Sequence, residues 1–282
     1  MYAVEVSGLS KAYDGVEAVR GIDFAIGAGE VFGLLGPNGA GKTTTVEILV
    51  GYRRRDSGEV RVLDRDPAET DSAWRARIGV VPQTGELFPN LTVREHLDLF
   101  AGYYDEPRPP SEVLTLVGLD EKADAKTRTL SGGQKRRLDF GVALVGNPEL
   151  IFLDEPTTGF DPGARRAAWE TIRSLRSLGK TILLTTHYIE EAHRLADRVA
   201  VLRRGEIVAS GTPAELIAQA PASVIRYRHG GEEVVIQTEE PTRVLHDLTE
   251  RALRNGFDLE ALEVHRPTLE DIYLTLTEEQ PE

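Results

Sequence analysis

The sequence predicts an α/β fold built on a largely parallel sheet, and three observations lead there. Short apolar runs, Val31-Phe32-Gly33-Leu34-Leu35, Ile78-Gly79-Val80-Val81, Leu150-Ile151-Phe152-Leu153 and Thr181-Ile182-Leu183-Leu184, read as strands buried on both faces. Segments with helical spacing separate them, the alternation that builds parallel sheets. Between the second run and the third, at about residues 84–147, the signals are mainly helical, which predicts a helical insertion.

The elements follow in chain order. Val4 and Val6 alternate with polar neighbours, and Gly21-Ile22-Asp23-Phe24-Ala25-Ile26 repeats the pattern, predicting an N-terminal antiparallel β region. From Lys42 onward Val46, Leu49 and Val50 take helical spacing, and Gly51 ends that helix. In the insertion, Thr92 and Glu95 form a capping-box pair ahead of Leu97, Leu99 and Phe100, and a second helix around 113–117 follows Pro109-Pro110. Asp161 caps a helix that has Pro162 in its first turn and Gly179 at its end. Residues 198–210 read as a hairpin turning at Arg204-Gly205. Pro221 marks a boundary between a domain of residues 1–220 and a small α/β appendage, 221–282. The appendage contains strands at 224–227 and 234–237, a helix around 242–254, and a last strand and helix.

Bulk composition narrows the function. A chain of 282 residues holds one large domain, or one domain and an appendage. With 33 Lys+Arg against 46 Asp+Glu the net charge is −13, which repels a phosphate backbone and argues against nucleic acid as a partner. The basic runs Arg53-Arg54-Arg55 and Lys135-Arg136-Arg137 read as solvated faces. The absence of cysteine excludes disulfides, thiolate catalysis and Cys-based zinc sites, and fits a reducing compartment. Met1-Tyr2-Ala3-Val4-Glu5 lacks the charged start and apolar stretch of a signal peptide. No apolar run approaches the ~18 residues that span a bilayer.

Three motifs carry the chemistry. Gly36-Pro37-Asn38-Gly39-Ala40-Gly41-Lys42-Thr43 fits the phosphate-binding loop. Its glycines let backbone N–H groups converge on phosphate oxygens, and the helix behind it, which continues through Thr44, aims its positive end at them. Lys42 then reaches the outer phosphates and Thr43 offers its hydroxyl to Mg²⁺. A Gly-rich turn formed by chance is the alternative, and the buried strand before it and amphipathic helix after it argue against that. Asp154-Glu155 ends a buried strand, and the carboxyl ends of parallel strands face the ligand crevice. This places Asp154 to hold Mg²⁺ and Glu155 to polarise the attacking water; taken alone, such a pair is more often a helix cap. Leu130-Ser131-Gly132-Gly133-Gln134 opens a helix with Leu138, Val142 and Val145 at core spacing, and makes a second anion-binding nest that serves only if another phosphate arrives.

With these three motifs in this order, residues 1 to about 215 resemble the ABC ATPase family, whose signature is that pentapeptide. The resemblance implies an ATPase that binds ATP and Mg²⁺ and powers a membrane-spanning permease subunit from the cytoplasmic side of the membrane. It also implies a head-to-tail homodimer in the ATP-bound state, with ATP between the Lys42 loop of one copy and the Ser131 loop of the other. Gln83 matches the glutamine that touches Mg²⁺ and reports to the membrane subunit, with an ordinary turn residue as the alternative. His187 matches the histidine that contacts the γ-phosphate. Tyr13 matches the aromatic that stacks on adenine, against the alternative of a packed surface tyrosine. Asp161 matches the aspartate of the dimer-contact loop and doubles as a helix cap. Leu87 and Phe88, just beyond Gln83, are expected to help form the socket for the membrane partner, unless they are buried beneath the insertion. Two residues depart from the family pattern: Phe160 replaces a usual leucine, and Asp64 replaces a usual glycine after Val62-Leu63, which puts that turn in doubt.

Pro267-Thr268-Leu269-Glu270-Asp271-Ile272-Tyr273 and Gly211-Thr212-Pro213-Ala214-Glu215-Leu216 resemble segments of bacterial ATPases that serve drug and antibiotic exporters. Export is the direction this implies. An importer ATPase and a soluble ABC ATPase outside transport stand as alternatives.

Overall fold

Alternation of apolar and polar residues builds the first sheet. In the computed structural model, which describes residues 1–83, 85–218, 223–265 and 268–277, strand β1 (Tyr2–Tyr13) buries Val4, Val6 and Leu9. Strand β2 (Val16–Gly27) buries Val19, Ile22, Phe24 and Ile26 and pairs with β1 antiparallel. Strand β3 (Val31–Leu35) is buried throughout and runs into α1 (Lys42–Leu49), after which Gly51 takes φ 74°. Strand β4 (Ser57–Val62), which the sequence reading did not assign, completes the sheet in the order β2-β1-β4. Its Ser57-Gly58 start looks like a turn, and only Val60 and Val62 are buried. The turn after β4 forms in spite of Asp64: Leu63 and Asp64 take φ 49° and 65°, and Val62 bridges Arg65. A short polar side chain tolerates the left-handed region better than most, so Asp64 stands in for glycine there.

Helix α2 (Ser72–Arg75) leads to strand β5 (Ile78–Val81). Three helices then intervene, α3 (Val93–Ala101), α4 (Pro110–Leu116) and α5 (Gly132–Val145), before strand β6 (Leu150–Asp154). The Thr92–Glu95 capping box opens α3 as its residues require. Helix α6 (Pro162–Ser177), strand β7 (Thr181–Thr186), helix α7 (Ile189–Leu195), strand β8 (Arg198–Arg203) and strand β9 (Glu206–Gly211) follow. The central sheet has the order β5-β6-β7-β3-β8-β9, with β5 to β8 in parallel register. Arg204 and Gly205, both at positive φ, turn the β8–β9 hairpin.

Successive side chains of a strand point to opposite faces, and here each face has its own core. Phe32, Leu34, Phe152 and Leu183 join Val4, Leu9, Ile26 and Leu49 under the antiparallel sheet. Val31, Ile151, Leu153, Ile182 and Leu184 join Leu97, Val113, Leu138, Phe140 and Trp169 under the helices. Gly79 permits the second contact: a Cβ there would stand 2.4 Å from the Ala143 carbonyl oxygen and 3.0 Å from Pro148.

The chain divides into two units, Met1–Ser210 and Gly211–Glu282. The division falls ahead of the boundary expected at Pro221, which lies outside the described residues. The physical reason is helix α8 (Pro213–Ala218), which buries Leu216 and joins the second unit. That unit continues with strands β10 (Ser223–His229) and β11 (Glu232–Thr238), helix α9 (Pro241–Asn255), strand β12 (Glu260–His265) and helix α10 (Leu269–Thr277), against which α8 packs. Its antiparallel sheet has the order β11-β10-β12. Pro267, the first residue of the exporter-like tail segment, also lies outside the described residues.

Replacing Gly79 by alanine should destabilise the chain by about 1–3 kcal/mol, the cost typical of overpacking. Urea unfolding checks this; an unchanged midpoint would mean that α5 is not fixed against β5.

Candidate functional site

The carboxyl end of β3 turns into a loop that leaves no room for a side chain at Gly36 or Gly41. Gly41 takes φ 104°, and a Cβ on it would stand 2.3 Å from the Ala18 carbonyl oxygen. The loop delivers Lys42 to the first turn of α1, where only 4% of it is exposed. Its ammonium donates to the carbonyl oxygens of Gly36 (2.8 Å) and Pro37 (3.0 Å) and pairs with Glu155 Oε1 at 3.1 Å.

Glu155 follows β6 at φ 46°, a strained conformation for a residue with a Cβ. The strain is held by β7: the Glu155 N–H donates to the Thr185 carbonyl (3.2 Å) and hydroxyl (3.0 Å). That hydroxyl in turn donates to Asp154 Oδ1 at 2.5 Å, and Thr43 Oγ1 lies 3.4 Å from the same oxygen. Thr158 donates to Glu155 Oε2 (2.9 Å), and His187 Nδ1 lies 3.2 Å from it. The two neighbouring carboxyls are shifted in opposite directions. Burial pushes Asp154 above the usual carboxylate range, more than the hydroxyls of Thr185 and Thr43 offset, and the adjacent Glu155 charge adds to the rise. Burial also opposes ionisation of Glu155, but Lys42, Thr158 and His187 together outweigh it and hold it below that range.

A cavity of about 360 Å³ opens over this constellation, lined by Tyr13, Ala18, Asn38, Gly39, Gly41, Lys42, Thr43, Thr44, Gln83 and Glu155. Nine of these ten were expected from sequence, all but Ala18. Gly36 and Pro37 contribute through their carbonyls, and Ala40 is buried in the loop. The Tyr13 ring carries Lys11 Nζ at 5.5 Å and Arg53 Cζ at 5.1 Å from its centroid, a cationic surround for an aromatic face. Thr43, Gln83 and Asp154 also line an adjoining groove of about 770 Å³ between α1, β5, α3 and α5.

The structure does not bring the second anion nest to this cavity. Ser131 caps α5 in a capping box with Gln134, in which the Ser131 N–H donates to Gln134 Oε1 and the Gln134 N–H to Ser131 Oγ. Ser131 and Gly132 are exposed, and Gly133 and Gln134 half-buried. Asp161 caps α6, accepting from the Gly163 and Ala164 N–H groups, which draw its carboxyl below the usual range. One chain thus presents two separate helix starts suited to anions.

The oxygen set at Asp154 fits a hard divalent cation. Asp154 and Thr43 meet in the groove beside the cavity, yet among the described residues no three His, Asp or Glu side chains cluster as a metal cage. A site with few protein oxygens suits Mg²⁺ held largely through nucleotide phosphates.

Sequence reasoning missed Thr185 and Thr158, which support the two carboxylates, and misread Arg136. That side chain is 7% exposed rather than solvated, and donates to the carbonyls of Pro82, Asp154 and Pro156. Its spacing to the buried Phe140 and Ala143 was the available signal. Of the expected partner socket, Leu87 is half-buried against the helical core, whereas Phe88 is exposed.

Comparison with known proteins gives this geometry its context. The ABC transporter family profile matches residues 19–158. The Nod factor export ATP-binding protein I of Paraburkholderia xenovorans is 41% identical over 98% of this chain and 97% of its own length. This chain belongs to the ABC transporter ATP-binding family. The protein of the same name from Rhizobium meliloti is 40% identical over 98% of this chain and 88% of its own. Among solved structures, a subunit from Clostridium perfringens described as part of the ABC transporter complex cbiONQ matches with a TM-score of 0.70 and 30% identity, covering 77% of this chain and 91% of that one. An ATP-binding cassette in a dimeric post-hydrolysis state bound to ADP and Pi matches at 0.67 with 27% identity, over 74% and 98%. As an ABC transporter ATPase, the chain binds and hydrolyses ATP, and subunits of this kind dimerise and act with membrane components. Among the described residues no helix is long and apolar enough to cross a membrane.

Because burial lifts Asp154 above its unfolded-state value, its ionised form weakens the fold above the folded pKa, and the penalty fades as pH falls through it. With nucleotide absent and a chelator present, Asp154→Asn should therefore melt about 2–4 °C higher at pH 8, the equivalent of ~1 kcal/mol in a chain of this size. The gain should shrink as pH falls towards the ordinary carboxylate range. A melting point that falls at pH 8 would show that the ionised carboxylate is instead stabilising.

Proposed function

We propose that this chain powers an exporter, as a head-to-tail homodimer docked on the cytoplasmic side of a membrane-spanning permease. The observation that carries the catalytic part is the buried Lys42–Glu155 pair, opening on a cavity with Tyr13 and Gln83. Phosphate entering beside the loop amides competes for the Lys42 ammonium, exchanging one anionic partner for another. Glu155, released from Lys42 and still fixed by Thr158, accepts a proton from the attacking water as general base. His187, against the same carboxylate, reaches for the γ-phosphate. Thr43, Gln83 and Asp154 would hold Mg²⁺, which supplies charge neutralisation on the phosphates. Tyr13 stacks on the base.

The exposed starts of α5 and α6, with Ser131, Gly132, Gly133, Gln134 and Asp161, close over ATP held by the other copy. This explains why one chain carries a second anion nest remote from its own Lys42. A twofold axis then completes both sites at once. The permease meets the groove between α1, β5, α3 and α5. Val46, Val50, Val80, Phe100 and Val142 line it, Tyr52 at its rim is 80% exposed, and tilted ring contacts lead from Phe88 through His96 to Phe100. Export is supported by full-length similarity to proteins named for Nod factor export.

Glu155→Gln should retain MgATP binding while turnover falls by about 10²-fold or more, the range for a general base. It should also elute as a dimer with MgATP, read by light scattering. An unchanged rate would remove Glu155 from that role. The tagged, trapped variant should recover a multi-span protein from solubilised membranes, and adding Phe88→Ala and Tyr52→Ala should reduce that recovery several-fold. Equal recovery would move the docking surface elsewhere.

A further inference from the structure

The Lys135-Arg136-Arg137 run is not one face. Lys135 is exposed, while the Arg136 side chain points inward from α5 and is nine-tenths buried. Its guanidinium donates to the carbonyls of Pro82 (2.5 Å), Pro156 (3.0 Å) and Asp154 (3.2 Å). Pro82 precedes Gln83; Asp154 and Pro156 flank Glu155. Asp139, one turn further along α5, lies 3.6 Å from Arg136 and braces it. The same carboxylate packs against Gly85, where an added Cβ would stand 2.5 Å from Asp139 Oδ1. The pair therefore grips the Gln83 loop at Pro82 and Gly85, and the Glu155 segment at the residues on either side of the carboxylate.

These carbonyls lie at or just beyond strand ends, where the ladder that satisfies buried backbone groups stops. A planar guanidinium with five donors in a fixed fork can hold three such acceptors in one geometry, whereas an ammonium on a flexible stem cannot fix their relative positions. Burying a guanidinium is costly unless it is fully bonded, and the carbonyls with Asp139 supply that bonding.

We infer that Arg136, braced by Asp139, is a positioning residue that couples the Gln83 loop to Glu155. Displacement of the loop shifts the guanidinium, and the guanidinium shifts the main chain on both sides of the general base. The link bypasses the nucleotide and starts on the helix that Ser131 caps. It rests on the roles proposed above for Gln83 and Glu155.

The chain has no cysteine, so Glu86→Cys, at an exposed position of the same loop, accepts one environment-sensitive fluorophore. The labelled chain should keep its ATPase rate and change emission when MgATP binds. Adding Arg136→Gln should lower kcat about tenfold and remove most of the emission change, with KM and the calorimetric Kd for MgATP within about threefold. Arg136→Lys should fall between the two. A folded Arg136→Gln chain with kcat within about twofold and full emission change overturns the coupling. If Arg136→Gln does not fold, Asp139→Asn decides on the same readouts. A labelled chain with intact Arg136 that gives no emission change also overturns the coupling, and it locates the fault in the reading of the Gln83 loop rather than in Arg136.

Discussion

Asp154 and Glu155 are consecutive residues at the end of a buried strand, with 4% and 7% of their surface exposed. Two adjacent carboxylates cannot be taken from water without donors to replace it. The donors come from the first turn of α1 (Lys42, Thr43), from β7 and the residue just beyond it (Thr185, His187), and from the turn after β6 (Thr158). These segments can meet only if β6, β7 and β3 are neighbours in that order, which is the order at the centre of the sheet. Register matters as much as order: Asp154 pairs with Thr185, and Leu35 with Thr186. A one-residue slip would turn Thr185 to the other face and leave Asp154 without its donor. The apolar cores on both faces hold that register by making any slip bury the wrong side chains.

The fold was legible in the sequence because its strongest elements combine several signals. Val31 to Leu35 is apolar, buried and followed by glycines; Thr92 and Glu95 cap α3 and Asp161 caps α6 through local bonds that need no tertiary context. Strand β4 was missed because its two buried valines are preceded by Ser-Gly. Lys42, Thr43, Asp154 and Glu155 were readable as motifs. Thr185 was not, because a threonine in an apolar strand reads as a β-former. Arg136 was misread because charge was weighed before helical phase. Its burial becomes visible only when the carbonyls it satisfies are in place, and those come from segments far apart in sequence.

Adjacent carboxylates whose environments push them apart are suited to different tasks. Asp154, reached by neutral hydroxyls, keeps its oxygens for a hard cation. Glu155, reached by a lysine, stays ionised and able to accept a proton. A single residue step along the chain separates the two environments because the left-handed kink at Glu155 turns its side chain out of the strand's alternation.

The local caps of the helices differ in one chemical detail. Thr92 is answered by Glu95, Thr212 by Glu215 and Thr268 by Asp271, each closing its reciprocal pair with a carboxylate. Ser131 is answered by Gln134, an amide. Glutamate would close that box equally well as a matter of helix geometry. It would also place a full negative charge on the helix start that the proposed dimer brings to a triphosphate. At this helix, then, folding leaves the choice between two nearly isosteric side chains open, and in the proposed dimer the amide spares α5 the charge that Asp161 brings to α6.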